Sequence, residues 1–179
     1  MKQLFIMLSV VLFLSGCSGF SQSGRRKGHK HPATDTVAQA PATTIDAPNP
    51  EGRTVVKMEK INGVYQVPIE VNDVRMHFIF DTGAGMISIS ETEALFLYKQ
   101  GTLTKEDILG NASFSDANGD ISEGTVVNLR TVKIGDRVLR NVQASVVHNL
   151  DAPLLLGQSA LGGFMKISID YKRGEIIFE

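Results

Sequence analysis

The chain has 179 residues, 18 Lys and Arg against 19 Asp and Glu, and a formal net charge of −1. That balance excludes the basic excess on which general nucleic-acid binding rests, and the length allows one folded domain of ordinary size. A hydrophobic content of 42% with 17 Gly and no Trp suits a sheet-rich domain with many tight turns.

The first residues read as an address rather than as fold. Lys2 precedes an apolar run from Leu4 to Leu14, broken by Ser9 and too short for a stable membrane span. The run ends in Leu14-Ser15-Gly16-Cys17, which resembles the lipobox of bacterial lipoproteins. The resemblance implies a signal peptide over residues 1–17, with Cys17 lipidated and tying the mature protein to a membrane of the bacterial cell envelope. Ser18 carries no acidic retention signal, which favours the outer membrane or a periplasm-facing site. Cys17 is the sole cysteine, so the rest of the chain has no thiol for a disulfide or a metal.

Residues 18–53 have the composition of a tether. Ser, Gly, Pro, Ala and Thr dominate, and large apolar residues are too few to offset the entropy of ordering. Within it, Arg25-Arg26-Lys27-Gly28-His29-Lys30-His31 suits either anionic lipid headgroups or a merely solvated charge cluster. Two histidines without a third spaced ligand make no metal site. No metal or other cofactor is expected anywhere in the chain.

The texture changes at Thr54, and residues 54–179 are the predicted folded domain. Thr54 to Lys60 and Val64 to Val71 read as strands. Asn72-Asp73 is a turn, and Val74, Met76, Phe78 and Phe80 alternate along a partner strand. Met86 to Ile89 continues as a strand. The best helix is Ser90 to Gln100: Ser90 and Glu93 form a capping pair, Leu95, Phe96 and Tyr98 supply its buried face, and Gly101 stops it. Thr104 with Asp107 opens one more helical turn.

Asn111 to Asp116 and Ile121 to Thr125 flank Ala117-Asn118-Gly119-Asp120, a strong hairpin signal. Val126 to Ile134 and Val138 to Val147 form another hairpin around Gly135-Asp136. Leu154-Leu155-Leu156-Gly157 is a short apolar run followed by a helical turn over Gln158 to Leu161. Phe164 to Tyr171 and Glu175 to Phe178 close the chain as a hairpin. Strands this dense with one real helix predict an all-β fold, a small closed barrel. No internal repeat is visible, so a two-lobed enzyme made by duplication is not expected.

One stretch carries chemistry. Phe78-Ile79-Phe80 delivers Asp81 into Thr82-Gly83-Ala84. A carboxylate among apolar neighbours needs hydrogen bonds or a second acid with which to share a proton. The tripeptide Asp81-Thr82-Gly83 occurs once, so a second such carboxylate has to come from another copy of the chain. His77 and His148 have no nucleophile beside them in a nucleophile-elbow pattern and are given no role.

The sequence Phe80-Asp81-Thr82-Gly83-Ala84, then Ala117-Asn118-Gly119, then Leu155-Leu156-Gly157, resembles the retropepsin-like aspartic protease family, particularly its bacterial members. The resemblance runs from about Val55 to Glu179. It implies a retropepsin-like barrel in which Asp81 is the catalytic aspartate and Thr82, Gly83 and Ala84 form the active-site loop. Thr82 corresponds to the residue that clasps the opposing loop. Ala117, Asn118 and Gly119 tip a flap over the substrate, and Leu155, Leu156 and Gly157 support the catalytic loop from behind. Gly85 stands where retroviral relatives carry an acidic residue that helps to bind substrate.

The partners implied are a peptide or protein substrate, a second subunit in a homodimer, and the membrane through Cys17, with no nucleic acid. The C-terminal strand, Glu175 to Glu179, is the expected dimer strand. The resulting expectation is an aspartic endopeptidase. A monomeric, non-catalytic peptide-binding lipoprotein on the same fold, or a structural envelope module without a cleft, remain the alternatives.

Overall fold

The turn Asn72-Asp73 organises the first half of the sheet. Both residues have positive φ, 47° and 67°, the left-handed pair that a two-residue hairpin needs and that Asn and Asp tolerate. The turn joins β4 (Val64–Val71) to β5 (Val74–Phe80). Register runs from Val71 opposite Val74 to Gln66 opposite Ile79. The pleat therefore buries Val67, Ile69, Val71, Met76 and Phe78, while Arg75 and His77 are exposed.

The computed structural model describes residues 42–46, 52–115 and 118–179, all within the unit Ala33–Glu179. The signal segment 1–17 with its Cys17, the tether as far as residue 41, and Ala117 of the predicted flap lie outside the described residues. Around the first hairpin stand β1 (Thr44–Asp46), β2 (Thr54–Lys57), β3 (Glu59–Ile61), β6 (Ile87–Ser90), α1 (Glu91–Lys99), β7 (Ile108–Ser115), β8 (Ile121–Ile134) and β9 (Arg137–Val147). They are followed by β10 (Leu155–Leu156), α2 (Gln158–Leu161), β11 (Ile167–Asp170) and β12 (Glu175–Phe178).

Strand pairing runs in a closed circuit. β5 pairs with β4, β4 with β8, β8 with β9, β9 with β6, β6 with β10, and β10 with β5 again. Among the described residues the fold is all-β with one helix of more than a single turn, as predicted. Phe78, Ile69, Ile87, Ile89, Leu129, Leu139 and Leu156 are fully buried inside it. Each such side chain contributes about 1.5–3 kcal/mol by leaving water. No helix among the described residues is long and apolar enough to cross a membrane.

The helix ends follow the sequence, but its buried face does not. The Ser90 hydroxyl accepts from the Glu93 N–H at 3.3 Å and also bonds the Glu93 carboxylate. Gly101, at φ +73°, ends the helix in the left-handed region. Leu95, Phe96 and Tyr98 are, however, 46%, 46% and 44% exposed, and Ala94 and Leu97 are the buried pair. A helix of this length meets the barrel along one narrow stripe, so a residue three along from Ala94 shares its face and the adjacent Leu95 does not.

Two boundaries also differ from expectation. A strand forms inside the predicted tether: Thr44, Ile45 and Asp46 pair antiparallel with Arg140, Leu139 and Val138. A bond from the Thr43 hydroxyl to the Asn141 carbonyl (3.0 Å) and an ion pair between Asp46 and Arg140 flank it, so ordered structure starts before Thr54. The two strands expected on either side of Val126 are one 14-residue strand, β8. It serves β7 with its first half and β9 over most of its length.

β12 is the middle strand of a separate three-stranded sheet, between β11 and β2. Its backbone is engaged on both sides, and Ile176, Ile177 and Phe178 are buried. The expectation that the C-terminal strand offers its edge to a second subunit is therefore overturned, because the same chain's β2 and β11 already hold both edges.

Candidate active site

β5 ends at Phe80, and the chain turns at Asp81. Two backbone bonds from the strand behind fix that turn. The Ile79 N–H donates to the Leu154 carbonyl at 2.8 Å, and the Asp81 N–H donates to the Leu156 carbonyl at 3.2 Å. Leu155 and Leu156 run parallel to Ile79 and Phe80. The Leu155-Leu156-Gly157 segment thus lies directly behind the Asp81 loop, where the sequence placed its support.

Gly157 is there because nothing larger fits. A Cβ at this position would lie 2.2 Å from the Met86 carbonyl oxygen and 2.8 Å from that of Ala84. Contacts this short with backbone have no cheap relief. The following turn then ties the loop down. The Gln158 N–H donates to the Ala84 carbonyl at 2.9 Å, and the Gln158 side-chain amide donates to the Thr82 carbonyl at 2.8 Å. The Ser159 hydroxyl accepts from the Ile87 N–H at 2.8 Å, where the chain leaves the loop for β6.

Asp81 is half-buried, and Thr82, Gly83 and Gly85 are exposed. Its Oδ1 accepts from the Gly83 N–H at 2.8 Å, an Asx-type turn that orients the carboxylate. A Cβ on Gly83 would stand 3.2 Å from the same oxygen, so any side chain there presses on the carboxylate. Oδ2 makes no hydrogen bond with the described residues, and the Thr82 hydroxyl also has no partner among them. The carboxylate is held by one oxygen and left open at the other.

Two clefts meet at Asp81. The larger, of about 620 Å³, lies between the loop and the β7–β8 hairpin, with Met86, Phe114, Val147 and Leu155 as its apolar walls. The smaller, of about 380 Å³, is lined by Val64, Tyr65, Ile169 and Tyr171 among others. The predicted flap is a real hairpin: Ser115 opposes Ile121, and Asn118 and Gly119 are exposed near its tip, Gly119 at φ +87°. Among the described residues no group of three His, Cys, Asp or Glu is arranged to hold a metal ion. The loop presents a carboxylate, a hydroxyl and backbone groups beside a cleft with apolar walls.

The structure places Leu155–Leu156 against the strand that leads into Asp81 and forms a hairpin from β7 and β8 beside the same loop. Sequence reasoning missed Gln158 and Ser159, whose side chains bind the loop from a turn 76 and 72 residues away. It also missed Met86, Phe114, Glu123 and Val147 as cleft walls. Position next to Leu155-Leu156-Gly157 was the only available hint for Gln158 and Ser159, and the alternation of β7 and β8 did not say which face looks toward Asp81. His77 is exposed away from the clefts' lining, and His148 bonds the Thr125 hydroxyl at 3.1 Å.

The family model described as "gag-polyprotein putative aspartyl protease" matches residues 67–163, a little over half of the chain. The chain belongs to this family of retropepsin-like aspartic proteases. Among solved structures, it is similar to a retropepsin-like aspartic protease from Rickettsia conorii, with 22% identity, 76% of this chain and 92% of that one covered, and a TM-score of 0.49. It is also similar to the foamy viral protease-reverse transcriptase in complex with an RNA/DNA hybrid (21% identity, TM-score 0.39), covering 60% of this chain and 13% of that one. A third similar structure is the retroviral protease-like domain of Ddi1 from Leishmania major, with 18% identity, 68% and 93% covered, and a TM-score of 0.36. No curated protein matches the chain significantly.

Proposed function

We propose that this protein is an aspartic endopeptidase that works as a homodimer, anchored in the bacterial cell envelope through lipidated Cys17. The observation that carries the reading is the state of Asp81: one carboxylate oxygen is fixed by Gly83 and the other is open, at the meeting point of two clefts. One such carboxylate is half of a proton-sharing pair. Two brought to about 3 Å share one proton, because both cannot ionise.

The ionised Asp81 removes a proton from a bound water as the water oxygen attacks the peptide carbonyl carbon. The protonated Asp81 of the second subunit gives its proton to the carbonyl oxygen. Collapse of the resulting gem-diol returns that proton, and the amide nitrogen takes one as the C–N bond breaks. Thr82, exposed beside Asp81 and with a hydroxyl that has no partner among the described residues, is assigned to clasp the opposing loop. The hairpin tipped by Ala117, Asn118 and Gly119 closes over the substrate and excludes water. Gly83 and Ala84 keep the loop slim enough for two copies to meet, and Leu155, Leu156 and Gly157 hold it from behind.

The membrane assignment rests on Leu14-Ser15-Gly16-Cys17. Multiple acyl chains anchor firmly, at about 0.8 kcal/mol per buried CH₂. The deciding experiment compares wild type with Asp81→Asn on a peptide library. Loss of cleavage in the variant with peptide binding retained supports the protease. Equal cleavage by both removes the catalytic assignment, and binding without cleavage by either favours a peptide-binding lipoprotein.

A further inference from the structure

The larger cleft beside Asp81 is apolar along its walls but not neutral. Among its described lining residues only Asp81 and Glu123 carry charge, and both are acids. Glu123 is exposed on β8, directly opposite Ser113 of β7. The strand is pinned at the next residue: Gly124 opposes Val147, and a Cβ on it would stand 2.8 Å from the Val146 carbonyl oxygen and 3.0 Å from the Phe114 ring. Glu123 therefore projects from a fixed position in the ladder. None of the described ion pairs or hydrogen bonds engages its carboxylate, and the Nε2 atom of His148 bonds the Thr125 hydroxyl.

Two acids line one cleft whose described lining includes no cationic side chain, and this biases the potential there toward negative. Asp81 has its own task at the loop. Glu123 is left as a fixed acceptor for a charge that the protein does not supply. We propose that Glu123 is a specificity-determining residue: the cleft takes an extended peptide whose apolar side chain packs on Met86, Phe114 and Leu155, and Glu123 pairs with a Lys or Arg of that peptide. This rests on the reading of the cleft as the peptide site and names its substrate class. In a two-fold pair both halves carry the same acid, so the preference extends to both sides of the scissile bond.

The test uses the full-length protein in detergent micelles and a set of peptides that share an apolar pair and differ by a single Lys, Gln or Glu placed at successive positions. The readout is the ratio of kcat/KM values for the Lys and Gln peptides within one enzyme. An ion pair this exposed is expected to give a Lys preference of about threefold to fivefold at low salt, fading as salt is added. Glu123→Gln brings the ratio toward unity, and Glu123→Lys inverts it in favour of Glu peptides. A ratio unchanged across the three proteins overturns the assignment and leaves the protease standing. If the wild type cleaves nothing, fluorescence anisotropy of the same peptides decides. Lys-selective binding lost in Glu123→Gln supports Glu123 although proteolysis has failed, and equal or absent binding overturns it.

Discussion

The side-chain amide of Gln158 donates to the carbonyl oxygen of Thr82 at 2.8 Å, so the turn after β10 grips the exposed tip of the Asp81 loop from below. The bond lies outside the core and orients backbone that carries the carboxylate. One neutral hydrogen bond is worth about 0.5–1.5 kcal/mol. Gln158→Leu is expected to lower kcat/KM by about threefold to tenfold if that energy is spent on positioning the loop. The melting temperature moves little, because Gln158 is exposed. Parallel kinetic and thermal measurements on one preparation check the split.

Gly157 predicts a larger and different failure. Any side chain meets the Met86 and Ala84 carbonyls. Gly157→Ala is expected to destabilise the fold by about 1–3 kcal/mol, and Gly157→Val by more. Denaturant titration measures the loss, and a neutral Gly157→Val variant is incompatible with the packing described.

The helix offers a test of which face is buried. Leu97 is fully buried and Leu95 is 46% exposed. Leu97→Ala is expected to cost about 2–5 kcal/mol, and Leu95→Ala about 0.5 kcal/mol or less. Similar losses at the two positions, measured by chemical unfolding, contradict the orientation of α1.

Acid stability follows from one buried carboxylate. Asp107 lies in a 3₁₀ turn over Lys105–Asp107, where burial pushes its pKa up. The Arg130 guanidinium at 2.7 Å, the Thr104 N–H and the Thr104 hydroxyl outweigh that, so the net shift is downward. Asp170 is held low foremost by the Arg173 N–H, and Glu175 foremost by Lys57. A depressed folded pKa stabilises the fold above the unfolded pKa, and the contribution disappears as pH falls through the folded value. Stability is expected to fall as pH drops below about 4, the ordinary carboxylate range. Asp107→Asn should flatten that decline and cost about 1–3 kcal/mol at neutral pH. Unfolding curves at several pH values check both.

The two-subunit reading has a mixing test. In an equimolar mixture of wild type and Asp81→Asn, random pairing leaves about half of the wild-type chains in homodimers. Activity per wild-type chain is expected to fall to about half, and a steeper-than-linear rise of activity with concentration should accompany it. Activity per wild-type chain that mixing leaves unchanged is the signature of a self-sufficient monomer.

Local chemistry determined a large share of this protein before any contact was known. Asn72-Asp73, Asn118-Gly119 and Gly135-Asp136 announce their turns because few residues tolerate the backbone those turns require, and period-two alternation marks the strands between them. Asp81-Thr82-Gly83 and Leu155-Leu156-Gly157 were legible for the same reason: each is a compact segment whose residue types are dictated by tight backbone. Tertiary structure alone decided the rest. Leu95 and Phe96 are as apolar as Leu97, and only the barrel beneath the helix selects which are covered. Thr44–Asp46 becomes a strand because β9 has an unpaired stretch to receive it, and β12 is lost as a dimer edge because β2 and β11 return to it. The grip of Gln158 on Thr82 and the place of Glu123 in the cleft depend on segments far apart in the chain meeting in space. Hydrogen bonds and burial between such segments leave no periodicity in the sequence, so they emerge only when the chain closes on itself.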